Sequence, residues 1–381
     1  MKSRFSTLAL LMALLGPGSA VLSAFAQQGV TATRIMIGTS LPLSGDNFAS
    51  GAEGFDGAKA YIDYINANGG VHGRRIEFIV LDDAFDPSKG ADNARQLIED
   101  HKVFALFNCW GIGTCNAIAP LSALAQVPLI AGLAGAGDMR RMNRYIFNLR
   151  APLGAEIERM VEQLATNGMN KVGLVHQGDD LSKNALAIAE SALARRKLRA
   201  VAVVSVKGDG SDAVNTARVL VKATPDAVIV VTAPPAALAV IQETRKAGYT
   251  APFFNLAEQA SQAFVKRLGE HGAGTIYTTL TPNPWRDEIP VVKEYQKLLT
   301  AATGKKEFSF LSLETFLNAK VLVEGLRKAG KDLTRERLIA ALEGMTESDL
   351  GGFWVRYSSS SHDGSRYVGL TILSKQGRFL E

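Results

Sequence analysis

The sequence predicts an α/β protein built as two doubly wound lobes with a ligand cleft between them, and three observations carry that prediction. From Arg34 onward, short runs rich in Val and Ile alternate with helical patterns, as in a parallel sheet covered on both faces. The alternation is interrupted at Arg150-Ala151-Pro152 and resumes as a second series from Lys171 to Leu280. After Thr281-Pro282-Asn283-Pro284 the rhythm changes to successive helices, so the tail reads as a return to the first sheet and not as a further domain. A chain of 381 residues is ample for two units of about 100–200 residues each.

The elements follow in order. Strand-like runs lie at 35–38, 76–81, 103–107, 127–130, 172–175, 201–206, 227–231, 252–255 and 275–279. Between the first two, Ala58, Ile62 and Ile65 recur at helical spacing and turn one apolar stripe toward a sheet. Gly69-Gly70 supplies left-handed residues to end that helix. Asp86-Pro87 starts the next one, with Asp86 as N-cap and Pro87 at the first helical position, where its missing N–H costs nothing. Beyond residue 284, helices at 291–302, 311–328 and 335–342 precede strands at 353–357 and 367–373. Residues 27–150 with 282–363 then form lobe 1, and residues 151–281 with 364–381 form lobe 2. The hinge falls near Arg150-Ala151, Thr281-Pro282 and Gly364.

Composition narrows the class. With 47% hydrophobic and 21% charged residues, collagen-like, disordered and disulfide-scaffold proteins are excluded. Residues 1–26 have the layout of a secretory signal: Lys2 and Arg4, an apolar stretch from Leu8 to Leu15, then Ala24-Phe25-Ala26 before Gln27. Cleavage there would remove two positive charges and no acid from a net charge of +5. The remaining basic residues sit in short groups, Arg74-Arg75, Arg140-Arg141, Arg195-Arg196-Lys197 and Lys305-Lys306. They read as solvated loops or helix ends, and no nucleic-acid partner is expected.

The most informative local pattern is Cys109-Trp110-Gly111-Ile112-Gly113-Thr114-Cys115-Asn116, which leaves a strand and enters a helix. Glycines allow close approach to the backbone, and the first-turn N–H groups with the Thr114 hydroxyl make a site for a small carboxylate. An ordinary turn capped by Thr114 is the equal alternative. The two cysteines either form a local disulfide bracing this loop, as an oxidising compartment would permit, or remain free buried thiols. Gly208-Asp209-Gly210-Ser211-Asp212-Ala213 matches G-x-G-x-x-A, but the next strand ends in Val230-Val231-Thr232 without an acid, so it reads as a turn. The five histidines are dispersed without metal-ligand spacing, and no cofactor is expected. A thiol–imidazole pair of Cys109 and His176 is the one enzymatic arrangement on offer.

The sequence resembles the branched-chain amino-acid-binding (leucine/isoleucine/valine-type) periplasmic solute-binding proteins of ABC transporters. The matching motifs are Leu41-Pro42-Leu43-Ser44-Gly45, Gly51, Gly54-Phe55-Asp56-Gly57-Ala58, Ile65-Asn66-Ala67-Asn68-Gly69-Gly70-Val71-His72-Gly73-Arg74, Asp82-Asp83-Ala84-Phe85-Asp86-Pro87 and Val127-Pro128-Leu129-Ile130. The likeness implies the type I periplasmic-binding fold, two lobes joined by three crossovers. It implies a periplasmic, exported, non-enzymatic, monomeric protein that presents its liganded form to an ABC permease in the inner membrane.

The resemblance also implies a site. The ligand carboxylate would be held by Gly111, Gly113 and Thr114, which agrees with the anion loop. Glu258 resembles the second-lobe acid that receives an ammonium. The hydroxyl position after the fourth strand falls on Gly135, beside Ala134 and Ala136, so that group is missing. Leu181, Ala233 and Ser50 stand where aromatics are common, while Trp110 and Phe48 supply aromatic surface at the rim of lobe 1. Trp110, Phe48, Ala134 and Gly135 would form pocket wall. The cargo is then a small carboxylate-bearing solute, an amino acid or an organic or aromatic acid. The same fold also serves ligand-sensing regulators of small amides or acids, and a thiol-dependent hydrolase is the remaining alternative.

Overall fold

The computed structural model describes residues 27–380, so the signal-like segment lies outside it. In the first half, β1 (Arg34–Leu41), β2 (Arg75–Asp82), β3 (Ala105–Phe107), β4 (Leu129–Ile130) and β5 (Ile146–Phe147) build a five-stranded sheet in the order β2-β1-β3-β4-β5. All of its pairings are parallel. Helices α1 (Phe48–Ala67), α2 (Pro87–Glu99) and α3 (Ile112–Leu124) make the crossovers.

The second series comprises α4 (Leu153–Thr166), β6 (Lys171–His176), α5 (Asp180–Arg195), β7 (Arg199–Ser205), α6 (Ala213–Ala223), β8 (Ala227–Val231), α7 (Pro234–Lys246), β9 (Phe253–Asn255), α8 (Gln262–Leu268) and β10 (Ile276–Thr279). The chain then returns to the first sheet as α9 (Pro290–Thr303), α10 (Phe310–Ala329), α11 (Arg335–Glu343) and a small hairpin, β11 (Ser348–Asp349) with β12 (Trp354–Val355). It ends on the second sheet with β13 (Gly369–Leu373) and β14 (Phe379–Leu380), giving the order β14-β13-β10-β9-β8-β6-β7. The tail thus returns to one lobe and crosses back to the other, as its change of rhythm predicts.

Each sheet is buried on both faces, which is why its strands read as continuous apolar runs. On one side of the first sheet, Ile35, Ile37 and Phe107 pack with Tyr61, Ile62, Tyr295 and Phe316 from the α1, α9 and α10 layer. On the other, Leu106 and Leu129 pack with Ala94, Leu97, Ile118 and Ala119 of α2 and α3. Asp86 caps α2 as expected, accepting from the N–H groups of Ser88 and Lys89 at 2.7 and 3.2 Å. Gly69 and Gly70 have φ of 93° and 71°.

Several elements differ from expectation. The third strand begins at Ala105 and not at Val103, whose N–H turns back to the Leu97 carbonyl at 3.1 Å. The run at 353–357 supplies only the short β12, paired within its own hairpin. β5 and β14 are two residues each, too short to show a period. Arg140-Arg141 is not a solvated pair. The Arg141 side chain is 85% exposed, but that of Arg140 is 11% exposed and bonds Asp363 at 2.6 Å.

That ion pair joins two crossings between the lobes. Asn148, just after β5, forms a parallel bridge with Asp363, donates its N–H to His362 and accepts from Gly364, both at 2.8 Å. Arg140 also donates to the Ala134 carbonyl at 2.9 Å.

Cys109 and Cys115 are joined in a disulfide, with Cα atoms 5.3 Å apart. The bridge ties the end of β3 to the first turn of α3, and no free cysteine remains among the described residues. Replacing both cysteines by alanine should lower stability by about 2 kcal/mol, the chain-entropy expectation for so short a loop. Urea denaturation checks this, and an unchanged midpoint would show that the bridge does not constrain the loop.

Candidate functional site

Gly111 precedes α3 with φ of 77°, a backbone region that favours glycine. The first intrahelical bond is from the Cys115 N–H to the Gly111 carbonyl at 3.0 Å. The N–H groups of Ile112, Gly113 and Thr114 therefore have no acceptor within the helix, and they follow Gly111, which lines the interlobe cleft. Gly113 is exposed. The 13-residue helix adds partial positive charge at this end.

The cleft also carries Asn47, Ser50, Phe85, Trp110 and Leu133 from the first half of the chain. Opposite them stand Pro234, Ala257, Glu258, Ser261, Phe264 and Arg267, with Phe310, Leu311 and Glu314 of α10 and the 279–281 crossing completing it. The space open to the centre of a water molecule is about 100 Å³, small beside the roughly 300–1,000 Å³ of drug-sized sites. It suits a compact solute.

A buried ion pair lies in the cleft wall. Arg150, in the first crossing, donates through Nε to Oε1 of Glu314 at 2.8 Å and through Nη2 to Oε2 at 2.9 Å, and both side chains are less than a tenth exposed. Burial alone would release the Arg150 proton more easily, but Glu314 overrides this and holds the guanidinium firmly charged. Glu156, in the first turn of α4, is also buried. It accepts the Ala257 N–H at 2.9 Å and the Thr278 hydroxyl. Burial raises its pKa, opposed by Thr278 and Arg150.

Glu258 occupies a single 3₁₀ turn (Ala257–Gln259) after β9. Burial pushes its carboxyl up to about 7, Arg150 draws it down and Glu156 pushes it up further. It can therefore donate as an acid or accept as a carboxylate near neutral pH.

The residues expected from sequence divide by position. Trp110, Gly111 and Glu258 are on the cleft wall, and Gly113 continues the exposed first turn of α3. The Thr114 side chain is 2% exposed and packs on Gly90 of α2, where a Cβ would lie 2.4 Å from its Cγ2. It neither caps α3 nor lines the cleft, so its contribution to a ligand is its N–H. Ala134 is fully buried, with its carbonyl taken by Arg140. The Gly135 carbonyl accepts the Leu153 N–H of α4 at 2.8 Å, so Leu133 is the wall residue from this loop. Phe48 is 52% exposed and outside the cleft, while its neighbours Asn47 and Ser50 line it. Ala233 precedes α7 and donates its N–H to Gln177. The Leu181 side chain is outside the described residues.

Arg150, read only as a hinge, and Glu314, Phe85 and Phe310 were missed. Glu314 carried one signal, a lone acid inside the apolar run Phe310–Phe316, which demands a partner when buried. The Cys109–His176 pair is corrected: the disulfide consumes the thiol. The G-x-G-x-x-A segment is a turn, with Asp212 accepting from the Lys207 N–H and Asp209 from the Ser211 N–H. Among the described residues no cluster suits a metal ion, and no helix is long and apolar enough to cross a membrane.

Two α/β lobes enclosing a small polar-ended cleft define a bilobal ligand-binding protein. The chain belongs to the periplasmic binding protein family, whose model matches residues 34–377. It is 23% identical over 310 residues to Leu/Ile/Val-binding protein homolog 7 of Brucella abortus, covering 77% of each chain. Its fold matches an extracellular ligand-binding receptor from Verminephrobacter eiseniae with a TM-score of 0.85 and 26% identity, over 92% of this chain and 100% of that one. A substrate-binding periplasmic protein from Ralstonia solanacearum gives 0.83 and 28%, over 91% and 99%. The resemblance drawn from the motifs and the fold it implies are both borne out.

Glu258 provides a pH test. Free glutamate titrates near 4.5 and this one near 7, so the folded state binds the extra proton between those values and loses relative stability as pH rises through them. Glu258→Gln should be more stable than the parent at pH 8, by on the order of 1 kcal/mol after allowing for its partial exposure, and equal at pH 4. Urea midpoints at the two pH values decide it; a pH-independent difference would contradict the assignment. Glu314→Leu should cost about 3–5 kcal/mol by stranding the Arg150 guanidinium, and Arg150→Met added to it should restore most of the loss. Failure of the second change to rescue would show that the pair is not the cause.

Proposed function

We propose that this chain is the exported solute-binding component of an ABC importer and that it captures a small carboxylate-bearing solute between its lobes. The observation that carries the reading is the open first turn of α3 beside Gly111 on one wall of the cleft, with Glu258 on the other. The carboxylate meets the N–H groups of Gly113 and Thr114. A donor group, an ammonium or a hydroxyl, meets Glu258.

The lobes divide at the three crossings near residues 150, 281 and 364. A ligand that touches both walls stabilises the closed arrangement by its greater affinity for it, and that form alone presents the matching surface to a permease in the inner membrane. The leucine/isoleucine/valine-binding name of the Brucella relative supports an amino-acid-like cargo. The missing hydroxyl at Gly135 and the carbonyls of Ala134 and Gly135 committed elsewhere leave the ammonium less well served than the carboxylate. The fold of the family and the signal-like residues 1–26 support export and a periplasmic location. The solute-binding family and the substrate-binding neighbour from Ralstonia solanacearum support binding without turnover.

A melting-temperature screen of aliphatic amino acids, aromatic carboxylates, dicarboxylates and uncharged amides tests this. At a hundredfold excess over Kd, a ligand of the native state adds about 2.7 kcal/mol, so a cognate carboxylate should raise the midpoint by several degrees and the matching amide should not. Stabilisation by amides alone, or by nothing in the panel, would contradict the reading.

A further inference from the structure

We propose that Phe85 is the specificity-determining surface of this cleft and that it selects carboxylates attached to a planar aromatic body; the proposal rests on the carboxylate reading above. Phe85 lies between β2 and α2, and its ring sits directly on Gly111. A Cβ on Gly111 would be 2.7 Å from its Cε2 and 2.8 Å from its Cζ. The ring is therefore placed against the residue that opens α3, beside the N–H groups assigned to the carboxylate.

Its position is set by the backbone and not by burial. Ala84 and Phe85 have φ of 50° and 64°, the left-handed region that costs a non-glycine residue about 1–2 kcal/mol. The Ala84 N–H bonds Oδ1 of Asp82 at 2.9 Å and the Phe85 N–H bonds Oδ1 of Asp83 at 2.8 Å. Asp83 is fully buried and fixed in turn by the Ser40 hydroxyl at 2.8 Å. A glycine or asparagine would hold this turn with less strain. The phenylalanine instead stays 37% exposed, belongs to neither core of its lobe, and lines the cleft.

A large apolar ring held in a costly conformation keeps over a third of its surface open to the cleft. It contributes to whatever enters. A solute whose carboxylate reaches the first turn of α3 lays its adjoining atoms over this ring; Phe264 and Phe310 also border the cleft, but both are buried in the core of the second lobe. Aromatic pairs gain from offset and edge contacts beyond the area they bury, so the exposed ring of Phe85 discriminates a planar body from an aliphatic one of equal size.

Titration calorimetry with phenylacetate and 4-hydroxybenzoate against isovalerate and leucine tests this, using the parent, Phe85→Leu and Phe85→Asn. The aryl carboxylates should bind the parent more tightly, and Phe85→Leu should weaken them tenfold or more while changing the aliphatic ligands less than threefold. Phe85→Asn suits the left-handed backbone, so it should keep the parent's melting temperature and still lose the aromatic preference. Equal losses for both ligand types, or no loss, would overturn the role of Phe85 while leaving carboxylate binding intact. Absence of binding by every carboxylate to the parent would overturn the carboxylate reading and this inference with it.

Discussion

The buried bidentate pair of Arg150 and Glu314 is the interaction on which the arrangement of the cleft depends. Arg150 stands where the chain first leaves one lobe for the other, and Glu314 is on α10, the helix packed across the first sheet. Such a pair is seldom chosen for stability alone, because desolvating two charges offsets most of their attraction. Its geometric effect is large. The forked contact fixes the crossing segment against α10 and places one guanidinium among three carboxylates, those of Glu156, Glu258 and Glu314. The remaining acids are accommodated by hydrogen bonds at Glu156 and by a carboxyl that burial pushes up to about 7 at Glu258.

The electrostatic layout follows from that placement. One end of the cleft is the open turn of α3, partly positive and braced by the Cys109–Cys115 bridge. The other is rich in acid groups, with Glu258 poised between its two protonation states. The proposed solute, with a carboxylate at one end and a hydrogen-bond donor at the other, would complement both and touch both lobes. The Arg140–Asp363 contact and the Asn148 bridge hold the first and third crossings together.

The fold was legible because its signals are repeated and local. Runs of Val and Ile, Gly69-Gly70, and Asp86-Pro87 each act within a few residues, and nine strand-like runs in succession leave little room for another class. The glycine-opened start of α3 was legible for the same reason, since glycines entering a helix have a local meaning. Contacts between distant segments were not. Nothing in Thr114 itself tells that Gly90 receives its methyl group, or in Ala134 and Gly135 that Arg140 and Leu153 take their carbonyls. Phe85 sat inside a recognised motif, but its importance comes from two left-handed residues and from Gly111, which lies beyond an intervening helix. Arg140 looked like one of several surface pairs until Asp363, more than two hundred residues later, was brought beside it.

A crystal structure of the protein with a bound carboxylate identified by the melting screen tests the central claim most directly. A carboxylate oxygen is expected within hydrogen-bond distance of the Gly113 and Thr114 N–H groups, with the ligand body against Phe85 and its far end at Glu258. A ligand bound between the lobes with its carboxylate on Arg267, or on any group away from the first turn of α3, would contradict it.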